Sequence, residues 1–492
     1  MITTVVRFLA SAFLSLLLTV CSKNGSASPA DDPENGAVGN TETEEDAGAH
    51  AQSGNLPAWR AGYLDIHFIN TGTGECSFII MPDGTQMLVD AASSYCTPED
   101  ENDYYVGHYP NSSRRPSEWI NLYLEKCKSW TGNDVIDYLN VTHFHSDHIG
   151  QRFTGCPDGE IGQGNPLYTA DGRKALRDIT TMKEFLEIGG GYMKIGVAEI
   201  LDENKVGVVT DKAYPDYDYP KPLAYDVNEN GKSGYHGWTV LNYRNAAQYH
   251  KKNSGLVREA FRPGAKDQFV MKYRPEDYPD FEIRNLSANG LMWTGSGAET
   301  LMTFPENDQL SIDSNEGKDS PNENMTSTVF MLRYGNFDYF CGGDVVSNSV
   351  SSSYPWRDAE KHLANVTGEV DLLKANHHGS ADGNSEYFLS ILNPQVIVVN
   401  VWRRIQPRKD TYERMISSKC NHGMTDIFTT NKIASYHNEY SDKGARIKGK
   451  QGHFVVRVNP GGEKFYIYQL NDSDAAMSMK IIKRFGPYTS RK

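Results

Sequence analysis

The sequence predicts an α/β protein in which two β-sheets pack together and helices cover their outer faces. Two blocks of sequence, within residues 64–141 and 328–468, show the alternating or β-branched patterns of strands, and turn residues interrupt them. Helical patterns fall at regular points within both blocks. Between the blocks, about residues 157–320 are rich in Gly, Tyr, Asp and Pro and predict a long irregular insertion. Strand-rich halves with helices outside are typical of a layered sandwich.

The first block predicts four strands and one helix before a histidine-rich loop. Gly72, Gly74 and the turn at residues 82–84 separate the first three strands. The fourth strand is apolar enough to be buried, and it leads directly into the histidines. The predicted elements are strands over residues 64–69, 76–80, 86–89 and 135–141 and a helix over residues 119–127.

The second block predicts two hairpins with further strands between them. A turn at residues 334–336 joins the first hairpin, and Pro460, Gly461 and Gly462 join the last. After residue 472, residues 473–492 predict a basic and poorly anchored C-terminal tail. The predicted elements are strands over residues 328–332, 337–341, 370–374, 396–399, 453–458 and 465–468 and a helix over residues 386–392.

Residues 1–21 predict an export signal. Arg7 precedes a low-polarity stretch over residues 8–20, which has the length of a secretory apolar core and ends at Cys21. Residues 18–21 resemble a bacterial lipobox, in which the cysteine is lipidated, although Val20 departs from that pattern. We therefore expect an exported, membrane-anchored lipoprotein that faces the periplasm or the cell surface. Plain cleavage and an uncleaved anchor are the alternatives.

Residues 22–58 predict an acidic, disordered tether. Between Asn24 and Trp59 the sequence has seven carboxylates, no Lys or Arg and few apolar side chains, so it cannot bury enough surface to fold. The folded domain is predicted over residues 59–472. The whole chain has 49 basic and 63 acidic residues, and this negative balance argues against a broad nucleic-acid-binding surface.

Six cysteines remain when Cys21 is set aside, and in an exported protein an even number permits disulfides. Cys76 and Cys341 lie in strand-like runs and are predicted to be buried thiols. The other four lie in polar, loop-like contexts where one or two pairs can form, and the connectivity stays open. They are Cys96, Cys127, Cys156 and Cys420.

The strongest functional feature is the loop His143-Phe144-His145-Ser146-Asp147-His148, directly after a predicted buried strand. Three imidazoles and a carboxylate within one short loop offer nitrogen and oxygen ligands, and the strand holds the loop rigidly. A chance run of histidines on the surface is the alternative. The pattern predicts a preformed metal centre.

This loop, extended to Thr142 and Gly150, resembles the signature of the metallo-β-lactamase superfamily. Further landmarks resemble its ComEC-type branch, which is related to the competence DNA-uptake proteins, and they follow in the right order over residues 63–470. They are the glycine turn at residues 71–77, Leu88-Val89-Asp90, Gly342-Gly343-Asp344 and His377-His378-Gly379-Ser380. The resemblance implies an αβ/βα metallo-β-lactamase sandwich with its site at one edge of the two sheets.

The resemblance also implies a ligand set for two metal ions. The implied ligands are His143 and His145 for the first ion, Asp147, His148 and His378 for the second, and Asp344 for both. The superfamily often supplies one more histidine to the first ion from the region between Asp147 and Asp344. Only His236 and His250 fall there, and neither lies in a convincing motif.

Two further residues of these motifs are expected beside the ligands. Asp90 is expected to orient a ligand histidine through its ring N–H, with a strand-ending turn residue as the alternative. His377 is expected to support the ligands or to donate a proton, and it can exchange roles with His378.

The chemistry follows from the ligand types. Imidazoles and carboxylates without thiolate favour two divalent ions, zinc first, with manganese or iron as alternatives. Such a pair acidifies a bridging water to hydroxide, and Asp147 is the residue expected to orient it and take up its proton. The implied reaction is hydrolysis of a phosphodiester bond in a small-molecule or polymer substrate. Hydrolysis of a carboxylic ester, lactone or β-lactam is the second enzymatic interpretation, and a surface-tethered, non-catalytic metal-binding protein is the third.

A phosphodiester carries a negative charge, so a net-negative protein needs a local basic feature to bind it. The basic residues nearest to the last histidine motif in sequence are Lys374, Arg403 and Arg404. Ordinary solvated surface is the alternative role for all three.

Overall fold

A computed structural model describes the greater part of the chain. The described residues are 51–72, 74–93, 106–150, 167–169, 172–174, 192–215, 237–305, 321–347, 355–432, 440 and 442–491. The predicted export signal, residues 22–50 of the predicted tether, and Cys96 and Cys156 lie outside them. Within these residues no helix has the length and apolar character needed to cross a membrane.

The secondary structure alternates between strands and short helices. In chain order the strands are β1 Leu64–Phe68, β2 Ser77–Ile80, β3 Gln86–Val89, β4 Val135–Asn140, β5 Leu167–Thr169, β6 Gly172–Lys174, β7 Tyr192–Met193, β8 Lys205–Asp211, β9 Val257–Ala260, β10 Phe281–Ala288, β11 Leu291–Trp293, β12 Thr300–Met302, β13 Val329–Tyr334, β14 Phe337–Cys341, β15 Leu372–Lys374, β16 Val396–Val399, β17 Asp426–Thr429, β18 Ile447–Lys450, β19 His453–Val458, β20 Lys464–Leu470 and β21 Ile481–Thr489.

The α-helices are α1 Pro116–Thr131, α2 Ser146–Ile149, α3 Val197–Glu203, α4 Gly237–Asn253, α5 Ala359–Thr367, α6 Glu386–Leu392 and α7 Lys409–Met415. Short 3-10 turns are Pro275–Asp277, Glu323–Thr326, Pro355–Arg357, Asn376–Gly379 and Asn421–Gly423.

Two large mixed sheets contain most of the described strands. The first sheet has the order β21-β20-β19-β1-β2-β3-β4-β8-β9, and the second has the order β12-β11-β10-β13-β14-β15-β16-β17-β18. The pairs from β3 to β9 in the first sheet are parallel, and so are the pairs from β14 to β18 in the second. Three short strands form a separate sheet of order β6-β5-β7.

The two large sheets pack face to face between two layers of helices. Ile66 and Phe68 of the first sheet share one buried core with Phe330 and Leu332 of the second. The opposite face of the first sheet packs on α1, α3 and α4, and that of the second sheet packs on α5, α6 and α7. The prediction of an α/β sandwich with the layer order helix, sheet, sheet, helix is therefore confirmed.

Five predicted elements have the bounds seen in the structure, and one helix is longer than predicted. The strands at residues 86–89, 337–341, 396–399 and 453–458 and the helix at residues 386–392 are confirmed without change. The helix predicted over residues 119–127 is longer. It begins with Pro116 in its first turn and ends at Gly132, whose φ of 69° provides the left-handed C-cap.

The prediction of a long irregular insertion was wrong for much of residues 157–320. Strands β8 and β9 extend the first sheet in parallel from β4, and β10, β11 and β12 form one end of the second sheet. These strands are part of the sandwich itself, because their backbone pairing continues both large sheets. The mixed burial of strands such as β8 and β10 gave weak sequence patterns.

Both ends of the predicted domain also need correction. The expected C-terminal tail contains β21, which pairs with β20 along Lys464 to Leu470. At the other end, Leu56 lies in the predicted tether but is buried, and its backbone N–H donates to the Met479 carbonyl at 2.8 Å. The folded body therefore includes residues on both sides of the predicted limits 59 and 472.

The described cysteines are all free and buried. Cys76 and Cys341 are buried thiols, as predicted, and Cys127 and Cys420 are buried and unpaired as well. The loop-like context expected for Cys127 was wrong, because it lies on the inner face of α1.

Candidate metal centre

The candidate site lies where parallel strands of the two sheets end. Asp90 follows β3, and the histidine loop follows β4, in the first sheet. Asp344 follows β14, and the Asn376–Gly379 turn follows β15, in the second. Because the carboxyl ends of neighbouring parallel strands meet at one edge of a sheet, these segments converge. The eight site residues predicted from the sequence all belong to this group of segments.

Asp90 fixes the orientation of His148. The backbone of Asp90 has a φ of 56°, and its carboxylate accepts hydrogen bonds from the Thr142 N–H at 2.8 Å and the Thr142 hydroxyl at 2.7 Å. The same carboxylate is 2.7 Å from His148 Nδ1. With Nδ1 committed to Asp90, Nε2 of His148 is left to face the centre.

The Asn376–Gly379 turn presents two histidines in left-handed conformations, with φ values of 47° for His377 and 51° for His378. His378 Nδ1 is 2.9 Å from the Asn400 carbonyl, so its Nε2 faces the centre. His377 Nδ1 is 2.7 Å from Asp382 Oδ1, and its Nε2 is 4.0 Å from Asp344 Oδ2. His377 thus lies at the rim of the centre, and its side chain is 24% exposed.

Asp344 lies at the middle of this arrangement. Its Oδ2 is 3.2 Å from His148 Nε2, 3.3 Å from His378 Nε2 and 3.9 Å from His143 Nε2. The carboxylate is buried, so its charge needs positively charged partners. The surrounding imidazoles or a bound metal ion can fill that role.

Two groups of metal-ligating atoms share Asp344. One group is His143, His145 and Asp344, and the other is Glu75, His148, Asp344 and His378. Within each group the ligand atoms lie within 4.8 Å of one another. Asp147 lies beside the second group, with Oδ2 at 3.3 Å from His378 Nε2. Nitrogen and oxygen donors at this spacing fit divalent ions such as zinc, manganese or iron.

The carboxylates and imidazoles of the site shift one another's pKa values. Burial raises the pKa of Asp344, but His378 and His148 outweigh it and hold that pKa well below its usual value. Burial lowers the pKa of His378, whereas Asp344 and Asp147 raise it to about 9. Burial and the neighbouring His148 and His145 hold the pKa of His143 well below its usual value. Ionised carboxylates therefore face imidazoles at the point where the two groups meet.

Sequence reasoning missed one member of the second group and misplaced another residue. Glu75 follows the glycine turn before β2, and the turn was recognised without a role for this carboxylate. Lys374 was a candidate to contact substrate, with solvated surface as the alternative, but its side chain is 0% exposed and lies 2.5 Å from Glu75. Both interpretations were wrong, because β15 carries Lys374 into the interior behind Asp344.

Other residues from the sequence stand at different distances from the centre. The Arg403 guanidinium lies 4.1 Å over the ring of Trp402, and that ring is 6.2 Å from the His378 ring. His250 belongs to neither group of ligand atoms, and its Nε2 is 2.7 Å from Asp202. His236 lies outside the described residues.

Comparisons with known proteins found distant similarity to solved structures. No protein-family model matches the chain, and no curated protein matches it. A "putative metal-dependent hydrolase" from Parabacteroides distasonis aligns at 11% identity and a TM-score of 0.29, over 76% of this chain and 96% of that one. CmlA, a diiron β-hydroxylase from Streptomyces venezuelae, aligns at 12% identity and a TM-score of 0.31, over 82% of this chain and 55% of that one.

Proposed function

We propose that this protein is a metal-dependent hydrolase of the metallo-β-lactamase superfamily, with two divalent ions and a phosphodiester substrate. The observation that carries the proposal is the position of Asp344, whose carboxylate belongs to both groups of ligand atoms. A carboxylate shared by two donor groups suits two neighbouring ions. The ComEC-type sequence motifs support the choice of branch.

The chain's own residues have distinct parts in this proposal. Two bound divalent ions would supply a nucleophile at neutral pH and Lewis acidity. Asp147, beside His378, is the carboxylate that we assign to orient the attacking water and take up its proton. Burial raises the pKa of this carboxyl, but His378 and His148 outweigh burial and keep it ionised. His377 lies at the rim of the centre with its Nδ1 held by Asp382 and its Nε2 3.2 Å from the Asn324 side-chain amide. We assign its Nε2 to protonate the leaving group.

Arg403 supports a phosphodiester substrate over a neutral ester. Its guanidinium lies on Trp402, beside His378, and both side chains are half-buried. A stacked guanidinium loses little conformational freedom when it binds a phosphate oxygen, and guanidinium groups suit that ligand. Since Lys374 is buried, Arg403 and the adjacent Arg404 are the basic side chains that we assign to substrate binding.

The test is a combined measurement of metal content and substrate class. Protein purified without chelator is expected to contain close to two transition-metal ions per chain and to hydrolyse a chromogenic phosphodiester. An Arg403→Gln/Arg404→Gln variant should raise KM and make turnover less sensitive to salt. The matched control is Lys272→Gln/Arg274→Gln, which removes two exposed charges near the opposite ends of the strands.

Each contrary result selects a different interpretation. Turnover of a carboxylic ester, lactone or β-lactam, with no phosphodiester hydrolysis under zinc, manganese or iron, would replace the substrate assignment. Metal binding without turnover of any of these classes would favour a non-catalytic metal-binding protein. A protein that binds no metal under any condition would overturn the proposal as a whole.

Export and lipid anchoring form a separate proposal, which rests on residues 1–21. We expect Cys21 to carry the lipid, so a Cys21→Ala protein should leave the membrane fraction and appear in the soluble fraction. Wild-type protein found wholly in the soluble fraction would contradict the anchor. A Cys21→Ala variant that still fractionates with membranes would favour an uncleaved apolar segment.

A further inference from the structure

A buried ion pair lies directly behind the candidate metal centre. The side chains of Glu75 and Lys374 are both 0% exposed, and Lys374 Nζ is 2.5 Å from Glu75 Oε2. Glu75 precedes β2 in the first sheet, whereas Lys374 ends β15 in the second. The pair therefore joins the two sheets at the edge that carries the centre. Glu75 belongs to the second group of ligand atoms, but Lys374 already contacts its Oε2, and no hydrolytic role was assigned to either residue.

Lys374 lies between two carboxylates but is paired with only one of them. Its Nζ is 2.5 Å from Glu75 and 3.8 Å from Asp344 Oδ1, and it donates a hydrogen bond of 2.6 Å to the Gly343 carbonyl. A separation of 3.8 Å is too long for a hydrogen bond. Asp344 accordingly receives no hydrogen bond from Lys374, and its nearest charged neighbours are the imidazoles of His148 and His378, 3.2 Å and 3.3 Å from Oδ2.

This choice of partner matters to metal binding because Asp344 is the carboxylate that both donor groups share. An ammonium that moved from Glu75 to Asp344 would have to cross little more than 1 Å to reach hydrogen-bond distance. A hydrogen bond to Oδ1 would then partly neutralise the carboxylate whose Oδ2 faces the imidazoles, and so weaken its attraction for a metal ion. A buried ammonium cannot stay unpaired without a large cost, so the presence of Glu75 decides where Lys374 lies.

We propose that Glu75 is a positioning residue, which holds the Lys374 ammonium away from Asp344 and so keeps the shared carboxylate available to metal ions. The proposal rests on the metal-dependent function proposed above. It also gives Lys374 a role, since this cation balances the charge of a Glu75 carboxylate that would otherwise lie free beside His148 and His378.

The first test replaces Glu75 with glutamine, which removes the charge and keeps the size of the side chain. In a Glu75→Gln protein the amide cannot neutralise Lys374, so the ammonium is expected to move to Asp344. Zinc affinity, measured on the full chain by competition with a chromophoric chelator, is expected to fall about 10- to 100-fold, the range found for residues that support metal ligands. An unchanged zinc affinity in this variant would overturn the proposal.

The second test asks whether the loss comes from the released ammonium. Glu75→Gln/Lys374→Met removes both charges, and its zinc affinity is expected to return to near the wild-type value because no competitor for Asp344 remains. A role in packing alone predicts the opposite result, with the two substitutions adding their losses. Additive losses would therefore overturn the proposal even if the single variant behaved as expected.

Lys374→Met alone serves as the third measurement and covers the case in which Glu75→Gln does not fold. With the competing ammonium absent and Glu75 still charged, zinc should bind at least as tightly as to the wild type. Weaker binding in a folded Lys374→Met protein would contradict the proposal. Wild-type protein that binds no zinc would refute the proposed function together with this inference, whereas normal wild-type binding with unaffected variants refutes the inference alone.

Discussion

Two aspartates in the site each contact Nδ1 of a histidine, but the two histidines have different roles. Asp90 lies 2.7 Å from Nδ1 of His148, and Asp382 lies 2.7 Å from Nδ1 of His377. Of the two histidines only His148 belongs to a group of ligand atoms. An aspartate that orients a ligand tunes metal affinity, whereas one that orients a proton donor tunes the rate of turnover.

The pair provides a prediction with an internal control. Asp90→Asn keeps the size of the side chain, and asparagine tolerates the φ of 56° at this position. We expect zinc affinity to fall about 10- to 100-fold, because His148 loses the charged partner that fixes its ring. Asp382→Asn should retain zinc affinity and lose turnover. An equal loss of zinc in both variants would instead identify His377 as a ligand.

The residues of the centre differ in how well the sequence predicts them. His143, His145, Asp147 and His148 lie in one short loop, so local spacing alone indicates a metal site. The Glu75–Lys374 pair joins residues far apart in the chain, and no periodic pattern connects them. Only the folded structure shows that the turn before β2 and the end of β15 bring these two side chains together.

At the scale of elements, the turn after β14 places Asp344 and requires glycine. Gly343 has a φ of 53°, and a Cβ at this position would lie 3.0 Å from Ser327 Cβ and 3.0 Å from Thr142 Cβ. Thr142 leads into the histidine loop, so the turn and the loop are in close contact. A side chain there would separate the parts of the metal centre that the two sheets contribute.

Gly343→Ala is therefore expected to lower both the free energy of unfolding and the zinc affinity. Gly461→Ala is the matched control, because Gly461 also has a positive φ, 81°, but a Cβ there would have no atom within 4 Å. The left-handed conformation costs an alanine about 1–2 kcal/mol at either position. Urea unfolding of Gly343→Ala should show a larger loss, and zinc binding should weaken in this variant alone. Equal losses without an effect on zinc would contradict the role of the turn.

The burial and composition of each strand decide whether the sequence predicts it. Strands such as β3 and β16 are entirely buried and mostly apolar, and they could be predicted from their composition. Strand β8 begins with an exposed lysine and half-buried residues. Its valine-rich run is brief and lies in a polar region, so the sequence pattern did not indicate a strand there. Most of β21 is exposed, and it belongs to the sheet through backbone pairing, which side-chain patterns do not reveal.

At the scale of the molecule, buried neutral histidines connect stability to pH. His67 lies between the first sheet and α1, where its Nδ1 is 2.9 Å from the Tyr123 hydroxyl. Burial, together with the nearby Arg457, lowers its pKa to about 4 against the opposing effect of Asp65. The folded protein therefore binds a proton at His67 less readily than the unfolded chain, whose histidines have a pKa of about 6.5.

The sign of the pH dependence follows from this difference. Below about pH 6.5 the unfolded chain takes up the proton, so the free energy of unfolding should fall until the pH reaches about 4, by about 3 kcal/mol for His67 alone. A His67→Gln protein, compared with the wild type in the presence of chelator, should lose less stability over this range. His422→Asn, at an exposed histidine with positive φ, is the control and should leave the slope unchanged.

The proposed metal ions would also join the two halves of the sandwich. The first sheet supplies His143 and His148, and the second supplies Asp344 and His378, so each group of ligand atoms spans both sheets. Ions bound by the folded protein alone stabilise it, by about 4 kcal/mol for one ion at a free concentration of a thousand times Kd. We therefore expect chelator to lower the Tm and added zinc to restore it. In Asp344→Asn, which keeps the shape but weakens both groups, the Tm should respond little to zinc. A wild-type Tm that is the same with chelator and with zinc would show that the histidine and carboxylate groups do not hold a metal between the sheets.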